Sequence, residues 1–129
     1  MKNRTIALVL LMLFFSATLN AAHFHRESWY QKRWCALQCG ETEVVLLYKT
    51  RCDCLTETHA IEFDFAKKWA EAIGQALFYS TQTEHKAGIV LIIENEEKDQ
   101  RYVDILSITI QYYGLPIDVW TITAEELED

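Results

Sequence analysis

In the segment His59–Phe65, "HAIEFDF", the apolar Ile61, Phe63 and Phe65 alternate with Glu62 and Asp64, the period of two expected of a half-buried strand. Before it, Glu43–Tyr48 ("EVVLLY") reads as a β-rich run, "KTR" as a tight connection, and "CDCLT" (Cys52–Thr56) as a returning strand. Upstream, in Arg26–Cys39, Tyr30, Trp34 and Leu37 recur at i, i+4 and i+7. That spacing predicts a helix, with Gly40 where a C-terminal cap belongs. Downstream the chain predicts a helix over about Phe65–Ser80, a buried strand "GIVLIIE", a helix over "QRYVDILSITIQYYG" and a last strand "IDVWTI". The order αβββαβαβ predicts an α/β domain, a mixed sheet flanked by helices.

The amino-terminal pattern differs in kind. Lys2 and Arg4 precede an apolar run from Ile6 to Phe15, and small residues end at Ala21 and Ala22. This is the form of a secretory leader over residues 1–22, and the run is shorter than the ~20 apolar residues of a membrane span. The reading predicts an exported protein, periplasmic or secreted, without stable membrane insertion after cleavage. Residues 23–129 then form a single domain. One Pro, four Gly and no repeat leave nothing to mark a second one.

Charge narrows the function classes. The formal net charge is −7, and the leader holds two of the twelve Lys and Arg but none of the nineteen acids, so the remainder carries −9. This counts against a broad basic surface for nucleic acid, since such surfaces neutralise phosphates with clustered cations. The acids concentrate in "ENEEKD" (Glu94–Asp99) and the tail "EELED", which read as solvated loop and terminal charges.

All four cysteines, Cys35, Cys39, Cys52 and Cys54, lie beyond the leader. In an exported chain they predict disulfides, with three pairings open and a zinc site as the rival. Strand alternation puts Cys52 and Cys54 on one face and Asp53 on the other. The cysteine face meets whatever packs behind the sheet, so a bridge from the first helix to this strand suits the geometry.

The candidate chemistry lies in "RCDCLTETHAIEFDFAKKW" (Arg51–Trp69). If the two strands pair antiparallel with Asp53 on the side of Glu62 and Asp64, three carboxylates converge. Their repulsion calls for a cation among them. Hard oxygen donors on a partly open site suit Mg²⁺ or Mn²⁺ held by Asp53, Glu62 and Asp64. On the following helix Lys68, Glu71 and Gln75 share a polar face beside Asp64. A Lys there neutralises a phosphate or positions water, and Gln75 hydrogen-bonds a phosphate or base.

These residues resemble the PD-(D/E)XK nuclease superfamily. The signature is Asp53 on the second strand and Glu62-Phe63-Asp64 on the third, within an αβββαβ order, while "QALFY", with Gln75 and Tyr79 four apart, resembles the Q-x3-Y element of its exonuclease-like branch. The run from Trp29 to Ile122 is also similar to a group of small bacterial proteins of this type. The resemblance implies a restriction-endonuclease-like core with an additional C-terminal helix and strand, and metal-dependent phosphodiester hydrolysis on DNA or RNA. Asp53 and Glu62 are the implied metal ligands, with Glu27 as the extra acid some members use. Two positions depart from the pattern: Asp64 stands where the family has Lys, and Cys52 where it has Pro. Lys68 or Lys67 is the stand-in for the lost amine. The other reading keeps the fold without the chemistry, as a non-catalytic secreted or periplasmic interaction protein.

Overall fold

The computed structural model describes residues 22–128, so the expected leader lies outside the described residues except for Ala22. The elements are α1 (Glu27–Leu37), β1 (Glu41–Val45), β2 (Arg51–Leu55), β3 (His59–Phe65), α2 (Trp69–Thr83), β4 (Lys86–Ile92), α3 (Glu96–Tyr113) and β5 (Ile117–Ile122). Single 3₁₀ turns fall at Leu47–Lys49, Ala66–Lys68 and Glu125–Leu127. The five strands form one mixed sheet in chain order, β1-β2-β3 antiparallel and β3-β4-β5 parallel.

Parallel neighbours cannot be joined by a hairpin, so α2 and α3 serve as crossovers. Two crossovers of the same hand, stepping in the same direction, place both helices on one face. There Ala72 and Ala76 of α2 and Leu106 of α3 pack on Ala87, Ile89 and Leu91 of β4. Helix α1 closes the opposite face, where Tyr30, Trp34 and Cys35 meet Ile61, Phe63, Val90 and Ile92. Strand β4, covered on both faces, is buried from Ala87 to Ile92, and its near-continuous apolar sequence follows from that position.

Helix α3 starts four residues earlier than its apolar pattern predicts. The Asn95 side chain accepts the Lys98 N–H at 3.0 Å, and Glu96, Glu97 and Asp99 fill the first turn. Most of the "ENEEKD" run is therefore not loop. Its acids sit at the positive end of the helix dipole behind an Asn cap.

The cysteine geometry is a second departure. A single bridge joins Cys35 of α1 to Cys54 of β2, so the expected tie between helix and strand is present; Cys39 (exposed) and Cys52 (buried) are free thiols. Cys54 belongs to the cluster under α1, whereas Cys52 packs with Ala60 of β3 and Tyr79 of α2. Period-two alternation fails between them because the strand is distorted at Asp53. The β1–β2 ladder pairs Thr42 with Cys54 and Val44 with Cys52 but skips Glu43 and Asp53, and Glu43 takes φ 57.

Gly40 does not act as the left-handed cap that its place after α1 suggests. Cys39 takes that conformation, with φ 53, and the Gly40 N–H closes on the Cys35 carbonyl at 2.9 Å. Glycine is required for another reason. A Cβ at position 40 would lie 2.7 Å from the Cys35 sulfur and 2.8 Å from the Cys54 sulfur. Gly40→Ala is expected to lower the stability of the oxidised protein by ~1–3 kcal/mol through overpacking. Denaturant titrations before and after reduction check this, the penalty shrinking once the sulfurs can separate.

Candidate functional site

The site grows from the place where β2 and β3 part. Their ladder pairs Cys54 with Ile61 and Leu55 with Ala60. At the next position an Asp53 carboxylate oxygen, not a backbone carbonyl, accepts the Phe63 N–H, at 2.8 Å. The side chain of Asp53 thereby takes over a ladder position and is fixed against β3. Alternation on β3 puts Glu62 and Asp64 on the face of Ala60, toward α2, and both are 4 % exposed.

Helix α2 carries the groups that cover this face. Lys68, in the turn before it, reaches Asp64 with Nζ 3.9 Å from Oδ1. Lys67 points elsewhere, lining a surface with Asp99 and Tyr102 of α3, so of the two Lys candidates Lys68 alone joins the acids. One helical turn apart, the exposed Gln75 donates from Nε2 to the buried Tyr79 hydroxyl at 3.3 Å. Tyr79 in turn lies against Glu62, and burial first, then the Glu62 charge, pushes its phenol upward.

Helix α1 contributes the half-buried Glu27, close enough for the charges of Asp53 and Asp64 to act on it. The weaker of the acidic candidates thus belongs to the cluster. Two further side chains escape a reading of strand patterns. Gln31, 3 % exposed, donates to Glu27 Oε1 at 3.2 Å. Glu43 of β1, paired with Arg51 at 3.4 Å, bears on Asp53. The only signal for Gln31 is its place four residues after Glu27, one helical turn on. Nothing in the strand pattern marks Glu43.

The electrostatic state follows from four acids in one poorly solvated place. Burial, then the Asp53 charge, lifts Glu62 to about 10. Burial lifts Asp53 to about 6 against the Phe63 N–H, which favours the ionised form. Asp64 rises to about 6 by burial, opposed by Lys68. Burial and then the Asp53 and Asp64 charges raise Glu27 to about 7. One oxygen of Glu62, Oε2, is buried without a hydrogen-bond partner. An acceptor in that position needs either a proton of its own or an external cation.

Among the described residues, no group of three or more His, Cys, Asp or Glu is arranged to hold a metal ion. The donor set nevertheless fits a hard divalent cation of the Mg²⁺ type, which binds through one or two carboxylates and keeps several waters. Glu62, with an oxygen free of protein partners, and Asp53, fixed on the Phe63 N–H, are the two groups best placed for that duty. A cavity of about 740 Å³ lined by Phe24, His25, Glu94 and Glu128 shares no residue with this cluster. No helix among the described residues is long and apolar enough to cross a membrane. Comparison with protein-family models, with curated proteins and with solved structures returns no match.

Proposed function

We propose that this chain is an exported, Mg²⁺- or Mn²⁺-dependent phosphodiesterase acting on DNA or RNA, built on a PD-(D/E)XK-like core. The observation that carries the reading is Glu62. A carboxylate with an unpartnered oxygen is buried against Asp53 and Asp64, at the point where two strands part and a basic turn begins. Asp53 and Tyr79 lie within hydrogen-bonding reach of Glu62, yet its Oε2 keeps an open acceptor that a hard cation could fill.

Each residue has a role on that reading. Asp53 and Glu62 would hold the cation, and Asp64 restrains Lys68 beside them. Lys68, exposed at its tip, meets an incoming phosphate and offsets the charge that develops on it. Gln75 presents an amide to the nucleic acid, its rotamer set by Tyr79. Glu27, lifted to about 7, stands between its acid and base forms near neutrality, the state suited to passing a proton. The cation, when bound, acts as a Lewis acid on the phosphate and lowers the pKa of a coordinated water.

The test is hydrolysis of single- and double-stranded oligonucleotides by the folded protein with Mg²⁺ or Mn²⁺, beside Asp53→Asn, which keeps an acceptor for the Phe63 N–H. Cleavage by the parent and at least a ~100-fold loss in the variant supports the reading, given the several kcal/mol a metal site supplies. No cleavage under any of these conditions sinks it. One observation favours the second reading, a non-catalytic interaction protein. Asp64 stands at the family's Lys position and engages Lys68, the only nearby substitute. On that reading Mg²⁺ binds without any turnover.

A further inference from the structure

The β1–β2 hairpin overhangs the candidate site and ends in an unusual tip. Leu46 N donates to the Thr50 carbonyl at 2.8 Å, and Thr50 returns its hydroxyl to the Leu47 carbonyl at 2.9 Å, so the turn is held. Within it Tyr48 sits at φ 58 and Lys49 at φ 59, a left-handed conformation that a bulky aromatic rarely adopts and that costs of order 1 kcal/mol. The result is a Tyr side chain 82 % exposed at the tip, beside Val45 and Leu47, which are about as open. Its ring lies 6.2 Å from that of Phe78 on α2.

This aromatic pair is continuous with the carboxylates. Beneath the tip, Val44 and Leu46 pack with Phe78 and Tyr79, and Tyr79 joins Gln75 and Glu62. A polymer leaving the acids along α2 passes Gln75, then Phe78, then Tyr48. Lys49 at the tip makes no ion pair among the described residues and is free for a phosphate.

We propose that Tyr48, backed by Phe78, is a stacking platform for unpaired bases, and that the site therefore takes single-stranded nucleic acid. This rests on the phosphodiesterase reading and adds its substrate form. Charge decides between single strand and duplex. A chain this acidic cannot line a duplex with cations, whereas a base stacked on an exposed ring gains about 1–3 kcal/mol whatever its identity, with Lys49 beside it for the phosphate. A base inside a duplex has its faces already covered.

Fluorescence anisotropy with a labelled short oligothymidylate in EDTA tests this without hydrolysis or metal. The parent is expected to bind the single strand at least ~10-fold more tightly than a duplex of equal length, with a log–log salt slope of only about −1 to −2. Tyr48→Ala and Tyr48→Gly are expected to bind roughly 5- to 150-fold more weakly, the loss of one stacked base converted at tenfold per 1.4 kcal/mol. Tyr48→Phe keeps the ring and binds within about twofold of the parent. Because position 48 is exposed and glycine suits its backbone, the variants are expected to fold, which circular dichroism checks. No binding of the single strand, equal binding of the duplex, or a neutral Tyr48→Ala overturns the proposal. So does a Tyr48→Ala protein that loses self-association in sedimentation, since the tip then meets a second copy. If the single strand binds but the parent takes up no Mg²⁺, the hydrolase reading fails while the platform stands; Mg²⁺ uptake without oligonucleotide binding gives the reverse.

Discussion

Glu62→Gln is expected to give a protein that is more stable than its parent at pH 8 in the absence of metal and at least ~100-fold less active with Mg²⁺. The neutral amide copies the shape of the protonated acid, and its amide nitrogen can donate to Asp53. Near pH 5 the parent's Glu62 is neutral in the folded state, held up by burial and by Asp53, so the two proteins should melt alike. At pH 8 unfolding releases the parent's proton to water, which favours the unfolded chain; the amide has no proton to lose. The gain at pH 8 should be ~2–4 kcal/mol, read from urea titrations. The loss of activity has a separate origin, because an amide lacks the charge that holds a divalent cation. A residue that merely stabilised the fold would move both quantities in the same direction.

The second large effect is the pH dependence of the metal-free protein. Asp53 and Asp64 are raised to about 6, Glu27 to about 7 and Glu62 to about 10, whereas the unfolded chain titrates its carboxyls near 4. Between those limits the folded state binds more protons than the unfolded state, so stability falls as pH rises. The fall begins near pH 4, is steepest around pH 5–5.5, where the unfolded chain has lost its protons and the folded cluster still holds them, and eases through pH 6–7 to a gentler slope carried by Glu62. From pH 5 to pH 8 it should clearly exceed the ~2–4 kcal/mol carried by Glu62 alone, the reverse of the usual acid denaturation of a salt-bridged carboxylate. Divalent cation should restore stability most at the alkaline end, by ~2.7 kcal/mol at a hundred times its dissociation constant. Thermal unfolding at pH 5 and pH 8, with and without Mg²⁺, reads both effects.

How much of this was legible depended on whether one local rule governed each segment. His59–Phe65 and Ile117–Ile122 match their predicted strands in extent, but β3 is buried on both faces from Ala60 to Asp64, so its alternating polar positions mark carboxylates under α2 rather than a solvent face. The amino terminus of α3 did not show in its apolar pattern, since Asn95 and the acids after it act through capping and the helix dipole. The two cysteines flanking Asp53 part company because a carboxylate intrudes into the β2–β3 ladder, and alternation cannot see a distorted strand. Strand order alone brings Asp53, Glu62 and Asp64 to neighbouring positions, although among the described residues no three such groups are arranged to hold a metal ion. Gln31 and Glu43 reach the same place only through the packing of α1 and the positive φ in β1, which are tertiary facts.

The central claim is that the buried acids form a divalent-cation site whose protons the cation displaces. Calorimetric titration of Mg²⁺ at pH 8, in two buffers of different ionisation heat, counts those protons directly. The account predicts binding with about one proton released per ion, chiefly from Glu62, and loss of that release in Glu62→Gln. No binding heat in either buffer, or binding that releases no proton and is indifferent to Glu62→Gln, would contradict it.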